Sequence, residues 1–177
     1  MVLTTRSKRW IGAPGLWAVA ALLVVTPAAL RAQDDVGLAL GTAAPAATVQ
    51  ELDGHAVDLA SLVGKKPVML EFWATWCPLC KALMPRIEAA HAKYGDRVDF
   101  VEVAVGVNET PASVRREVAS LHYPFRFLFD ASGAAVRAYK APTTSYVVVV
   151  NRAGRVVYTG SGESQDIAAA LQRAVGG

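Results

Sequence analysis

The chain has 177 residues and only two cysteines, enough length for one domain with its own core but too few thiols for a disulfide framework. Its formal charge of +3 comes from one end: Arg6, Lys8, Arg9 and Arg31 are four of the 18 basic residues, and all 15 acidic residues lie after Ala32. Without those four, 14 basic residues face 15 acidic ones, and no basic stripe is left to grip nucleic acid.

Residues 1–32 read as an export signal. Arg6, Lys8 and Arg9 make a positive start, no charge occurs from Trp10 to Leu30, and LWAVAALLVV (residues 16–25) is the most apolar stretch. Thr26-Pro27 breaks a helix, and Ala28, Ala29 and Ala32 offer small residues to a peptidase. The same stretch is long enough to span a bilayer, so a cleaved signal and an N-terminal membrane anchor are both open. Either delivers the following domain outside the cytoplasm and leaves the membrane touched only through this segment. No cysteine lies near the cut and no twin arginine is present, which excludes a lipoprotein and favours the general secretory route.

Residues 33–44, small and polar, are expected to form a tether, with a domain over 45–177. TVQELDGHAVDL (48–59) places Asp53-Gly54 between two alternating runs, a hairpin signal. A helical turn is expected over 59–64. VMLEFW (68–73) is nearly continuous in apolar character, as in a strand buried on both faces. A helix follows over about 78–94, with Pro85 as an internal kink and Gly95 as its cap. VDFVEVAVGV (98–107) reads as a second central strand. Thr110-Pro111 starts another helix with a cap residue and a proline at the first helical position, ending near His122. FRFLF (125–129) is a strand, and a short helix covers 134–139. SYVVVV and RVVYTG, joined by Asn151–Gly154, form a hairpin, and a final helix runs over about 164–174. The alternation of strands and helices, closed by an antiparallel pair, indicates an α/β fold: a mixed sheet with helices on both faces.

Both cysteines stand in FWATWCPLCKALMP (72–85), three residues apart on the first turn of a helix. That spacing puts them on one face, able to close a small disulfide. Cys77 meets the unpaired N–H groups and the positive end of the helix dipole, which favour its thiolate, while Cys80 is expected to be more buried and to resolve a mixed disulfide. Half a zinc site has the same spacing, but a structural zinc needs two more ligands, and His55, His91 and His122 are scattered. Trp73 reads as core. Trp76, beside Cys77, reads either as core or as part of a substrate groove.

Three motifs in order, FWATWC..C after an apolar strand, Pro85 five residues past Cys80, and APTT at Pro142 before a late strand, resemble the thioredoxin fold. Within it the chain is similar to the exported TlpA/ResA-like thiol–disulfide oxidoreductases over roughly 41–175. The resemblance implies a three-layer fold with a central mixed sheet, an N-terminal β-hairpin and an inserted helix. It implies a cis-proline at Pro142 facing the dithiol, and a substrate strand along Ala141, with Trp76 and Pro78 beside it. It also implies attack by Cys77, resolution by Cys80 and no cofactor or metal. The implied partners are disulfide-bonded exported proteins, such as apocytochrome c, and a membrane thiol reductase as electron donor in the periplasm or its equivalent.

Glu71, six residues before Cys77, is the one charge between Val68 and Trp73. Buried, it would cost several kcal/mol unless paired or neutral. Cytoplasmic thioredoxins carry a buried Asp at the matching position that relays a proton to the second cysteine, and the resemblance assigns Glu71 that role. The alternative is a partly exposed glutamate paired with Lys81 or Lys140. TlpA/ResA-like proteins more often have Asn there and a Glu three residues after the second cysteine, where this chain has Leu83. They usually have proline just before that cysteine, where this chain has Leu79. Two other activities fit these residues less well. A peroxiredoxin wants threonine three residues before its attacking cysteine, and Ala74 is there. A Cu(I) module needs a third ligand, and His91 is too far along the helix.

Overall fold

Six successive residues without an exposed side chain, Val68–Trp73, form β3 at the centre of the sheet. In this computed structural model, residues 37–176 are described, and the export segment expected over 1–32 lies outside them. Among the described residues seven strands form one sheet in the order β2-β1-β5-β4-β3-β6-β7. They are β1 (Thr48–Glu51), β2 (Ala56–Asp58), β3, β4 (Asp99–Val105), β5 (Arg126–Asp130), β6 (Tyr146–Val150) and β7 (Val156–Gly160). β3 runs parallel to β4, from Val68 opposite Asp99 to Trp73 opposite Ala104, and antiparallel to β6, with Phe72 opposite Tyr146. Burial on both faces explains why the central strands are runs of Val, Leu and Phe and do not alternate with polar residues.

Strand alternation divides the β3 side chains between two layers. Phe72 points to the layer of α3 (Ala134–Ala138), where its ring lies 5.5 Å from Tyr139 and 5.9 Å from Tyr146. Met69, Glu71 and Trp73 point the other way, under α1 (Pro78–Tyr94). α4 (Ile167–Val175) packs beside α1 on this face, and α2 (Pro111–Leu121) flanks α1 on its other side, as the shared cleft described below shows. Leu83, Ile87 and Ala90 of α1 are buried, on the one-sided spacing of an amphipathic helix.

The hairpin at Asp53-Gly54, the helix bounds at 78 and 94 and the late hairpin fall where the sequence put them. Two expectations are corrected. Residues 37–44 are not a tether: Leu38 is buried, the Gly41 and Ala44 amides donate to Val156 and Gly154, and Ala43 bridges Arg155. Small, polar residues leave no apolar signal of docking, but the backbone of this segment completes the edge beside β7. The last helix starts at Ile167 and not at 164, because Asp166 is the residue whose side chain caps it, accepting the Ala169 N–H at 2.9 Å.

Candidate active site

Three loops leave the sheet at one end. Residues 74–77 follow β3, residues 106–110 follow the parallel β4, and residues 140–145 lead into the antiparallel β6. The carboxyl ends of parallel strands are where α/β sheets place their ligands.

Cys77 is the N-cap of α1 and Pro78 its first residue, where a missing N–H costs nothing. The two cysteines are joined in a disulfide, with Cα atoms 5.4 Å apart. The Cys80 N–H donates to the Cys77 sulfur at 3.0 Å. On reduction that amide and the helix dipole remain to favour a thiolate at Cys77. Burial does not separate the pair as expected, since Cys77 is 2% exposed and Cys80 1%. Their surroundings do. Cys80 lines a cleft of about 270 Å³ between α1 and α2, together with Trp73, Lys81, Met84, Glu117, Leu121 and Tyr123.

Around the disulfide the surface is apolar. Trp76 is 48% exposed, Leu79 44% and Val107 59%. The Trp76 indole donates to the Val107 carbonyl at 3.0 Å, so the ring is fixed although exposed. One residue earlier, Glu109 Oε1 accepts from both the N–H and the hydroxyl of Thr75, at 2.5 and 2.6 Å. The loop before α2 thus holds the loop before Cys77 at two places.

Glu71 is fully buried and has no lysine partner; Lys81 lies 3.8 Å from Glu117 instead. The exposed-glutamate alternative is therefore excluded. Its neighbour across the parallel pair is Glu102, also fully buried. None of the four carboxyl oxygens has a hydrogen-bond partner. Burial pushes Glu71 up to about 8, against a smaller opposing effect of the neighbouring Glu102 carboxyl. Glu102 is held well above the carboxylate range by burial and then by the charge of Glu71. Trp73 is buried as core, edge-on to Phe127 at 5.7 Å, yet it also lines the cleft.

The expected cis-proline is corrected. Among the described residues no peptide bond is cis, so Ala141-Pro142 is trans, the isomer an X-Pro bond ordinarily prefers. The chain turns there through Lys140, at φ 50°, and through Ser145, at φ 61°. Pro142 is exposed and Ala141 half-buried. The Ala141 N–H is engaged by the Val136 carbonyl at 2.9 Å, so only its carbonyl is offered to a strand laid alongside.

Sequence reading missed Glu102 and Glu109. Glu102 sits in VDFVEVAV, and a lone acid flanked by valines was the available signal. Glu109, in an ordinary polar loop, had none.

Comparison with known proteins agrees with this geometry. Residues 39–173 match the family described as Redoxin. A thiol-disulfide oxidoreductase ResA of Halalkalibacterium halodurans is 29% identical over 114 residues, a match covering 64% of this chain and 64% of that protein. The crystal structure of a putative thiol:disulfide interchange protein DsbE from Chlorobium tepidum superposes with a TM-score of 0.66 at 25% identity, covering 78% of this chain and 96% of that one. A secreted Mycobacterium tuberculosis disulfide oxidoreductase homologous to E. coli DsbE gives 0.61 at 28% identity, covering 71% and 94%.

Proposed function

The chain belongs to the Redoxin family, and we propose that it is a thiol–disulfide oxidoreductase that reduces disulfides of proteins outside the cytoplasm. One observation carries the reading: the Cys77–Cys80 disulfide caps α1, with a backbone N–H on the Cys77 sulfur and exposed apolar side chains around it. In the reduced enzyme Cys77 attacks a substrate disulfide and forms a mixed disulfide, releasing one substrate thiolate. Cys80 then attacks the Cys77 sulfur, the second substrate thiolate leaves, and the enzyme is oxidised. Trp76, Pro78 and Leu79 contact the substrate chain, which lies against Ala141 and Pro142. Glu71 takes the Cys80 proton. The reaction as written draws its electrons from the dithiol and needs no cofactor.

Residues 1–32 serve as an export signal or anchor, in keeping with the secreted M. tuberculosis relative. In an oxidising compartment the dithiol must be regenerated, and a membrane thiol reductase fits that need. Substrates are exported proteins with accessible disulfides, apocytochrome c among them.

The test is reduction of insulin by the full chain, run beside a Cu(I) titration and a peroxide-turnover assay. Insulin reduction that is lost in Cys77→Ser, with mixed disulfides accumulating in Cys80→Ser, is the expected result. Mixed disulfides trapped by Cys77→Ser instead would reverse the order of attack. Stoichiometric Cu(I) binding or peroxide turnover without insulin reduction would replace the reading.

A further inference from the structure

Five polar side chains are buried among the described residues. Glu71, Glu102 and Asp130 each keep an oxygen without a partner, whereas Ser145 and Gln165 do not. These two stand in different loops. Ser145 closes the 140–145 loop before β6, and Gln165 lies in the 161–166 loop between β7 and α4. Both loops belong to the sheet end that carries the disulfide, since Gly160, the last residue of β7, is opposite Val147, and Tyr146 is opposite Phe72.

The Gln165 amide nitrogen donates to the Ser145 carbonyl at 3.0 Å and to the Gly162 carbonyl at 2.7 Å. Its oxygen accepts the Tyr158 hydroxyl at 3.1 Å. The amide has one workable orientation, because turned over it would set its oxygen against two carbonyls. A fourth bond runs back from the Gly162 N–H to the Ser145 hydroxyl oxygen at 3.0 Å. Glycine at 160 leaves room for the cluster: a Cβ there would lie 2.3 Å from the Tyr158 hydroxyl and 2.8 Å from Gln165 Oε1.

What the cluster holds is a strained residue. Ser145 sits at φ 61°, the left-handed region that a residue with a side chain enters at a cost. It is wholly covered, so its carbonyl needs a partner within the protein, and Gln165 supplies one. At its other end the same loop is fixed on α3. The Ala141 N–H donates to the Val136 carbonyl at 2.9 Å, and the Lys140 N–H to the Arg137 carbonyl at 3.2 Å. Between these two anchors Pro142 and Thr143 are exposed. A loop pinned at both ends with its middle in water presents one fixed edge. Packing alone would not call for an amide at 165, since methionine has a similar length and volume and needs no partners.

We propose that Gln165 is a positioning residue for thiol–disulfide exchange. By holding Ser145 in its left-handed conformation, it sets the edge at residues 141–143 on which a protein substrate lies beside Cys77. Gln165 acts through Ser145 and touches neither sulfur, so it governs docking and leaves the electron transfer itself alone. This rests on the placing of the substrate chain proposed above.

The experiment compares the full chain with Gln165→Met by two readouts. The first is hydrogen exchange of the Gly162 amide in the oxidised protein, which needs no substrate. If the wild-type protein fails to reduce insulin, the proposed function falls, and this readout still decides whether Gln165 holds the loop. Gln165→Met should speed Gly162 exchange roughly tenfold, the scale of a lost hydrogen bond, with the amides of α1 unchanged. The second readout is steady-state reduction. The KM for insulin should rise roughly five- to tenfold with kcat held within about twofold, and reduction of the small reagent dithiobis(nitrobenzoate) should stay within about twofold. Tyr158→Phe removes one bond and keeps both that Gln165 donates, so it should remain within about twofold of wild type throughout. Unchanged Gly162 exchange in Gln165→Met overturns the proposal. So does an unchanged insulin KM, or an equal slowing of insulin and the small reagent. Should Gln165→Met not fold, the Gln165 side-chain amide protons decide, observed in Cys80→Ser with and without a cysteine peptide held on Cys77. Protons protected from exchange, with resonances that move when the peptide is bound, support the role. Exchange as fast as in an exposed glutamine, or resonances that stay still, overturn it.

Discussion

Among the described residues Glu71 has no cationic partner, and its first consequence is thermodynamic. Its folded value, about 8, stands above its ordinary 4.5, so between these the folded chain binds a proton that the unfolded chain has lost. This contribution to stability is therefore complete below pH 4.5 and disappears as pH rises through about 8. Thermal melts of the wild-type protein should show falling stability across that window, with a flatter profile and higher neutral stability in Glu71→Gln. A steeper profile in the variant would contradict the assignment. Trp76 poses the opposite case, a large ring left nearly half in water and held by one hydrogen bond. Trp76→Ala should change stability by no more than about 0.5 kcal/mol, as surface substitutions do, while lowering turnover of protein disulfides severalfold. Turnover of a small disulfide reagent should hardly move, which separates a docking role from damage to the dithiol.

At the scale of elements, the start of α1 carries both cysteines and the segment around α2 holds it in place. The pair of hydrogen bonds from Thr75 to Glu109, the Trp76–Val107 bond and the Lys81–Glu117 pair all join the region before or within α2 to the start of α1. The last is exposed and contributes little. Glu109 is different, since both bonds end on one carboxylate oxygen, and hydrogen bonds to a charged group contribute roughly 1.5–3 kcal/mol. Glu109→Ala should lower stability by about that amount and slow insulin reduction, with Glu109→Gln recovering part of both. A variant that melts lower yet turns over at the wild-type rate would confine Glu109 to stability alone.

For the whole molecule the open quantity is the direction of electron flow. Strong oxidants of this chemistry stabilise their reduced form through a very acidic first cysteine and lie near −120 mV, against about −270 mV for thioredoxin. No histidine stands between Cys77 and Cys80 to add positive charge, and the acid pair under the sheet end of α1 disfavours further negative charge there. Leu79, in place of proline before Cys80, is expected to make the disulfide somewhat easier to reduce. The expected potential is roughly −200 to −270 mV, measured by equilibrating the protein in glutathione buffers. A value above roughly −150 mV, or efficient oxidation of a reduced unfolded protein, would make the enzyme an oxidase.

The sequence alone determined most of the scaffold and the pairing of the two cysteines. Central strands declared themselves as unbroken apolar runs, α1 by its Pro78 start and Gly95 stop, and the dithiol by its spacing at a helix mouth, because each of these is local chemistry written in neighbouring residues. Glu71 could be marked as anomalous for the same reason. Its partner could not, because Glu102 stands 31 positions later and only the parallel register of β3 on β4 brings the two carboxyls together. The Glu109–Thr75 clamp, the cleft beside Cys80 and the docking of residues 37–44 on β7 are likewise contacts between distant segments. Which acids share the buried layer, and which loop holds the segment before the cysteines, were decided by strand pairing and burial, and these exist only once the chain has folded.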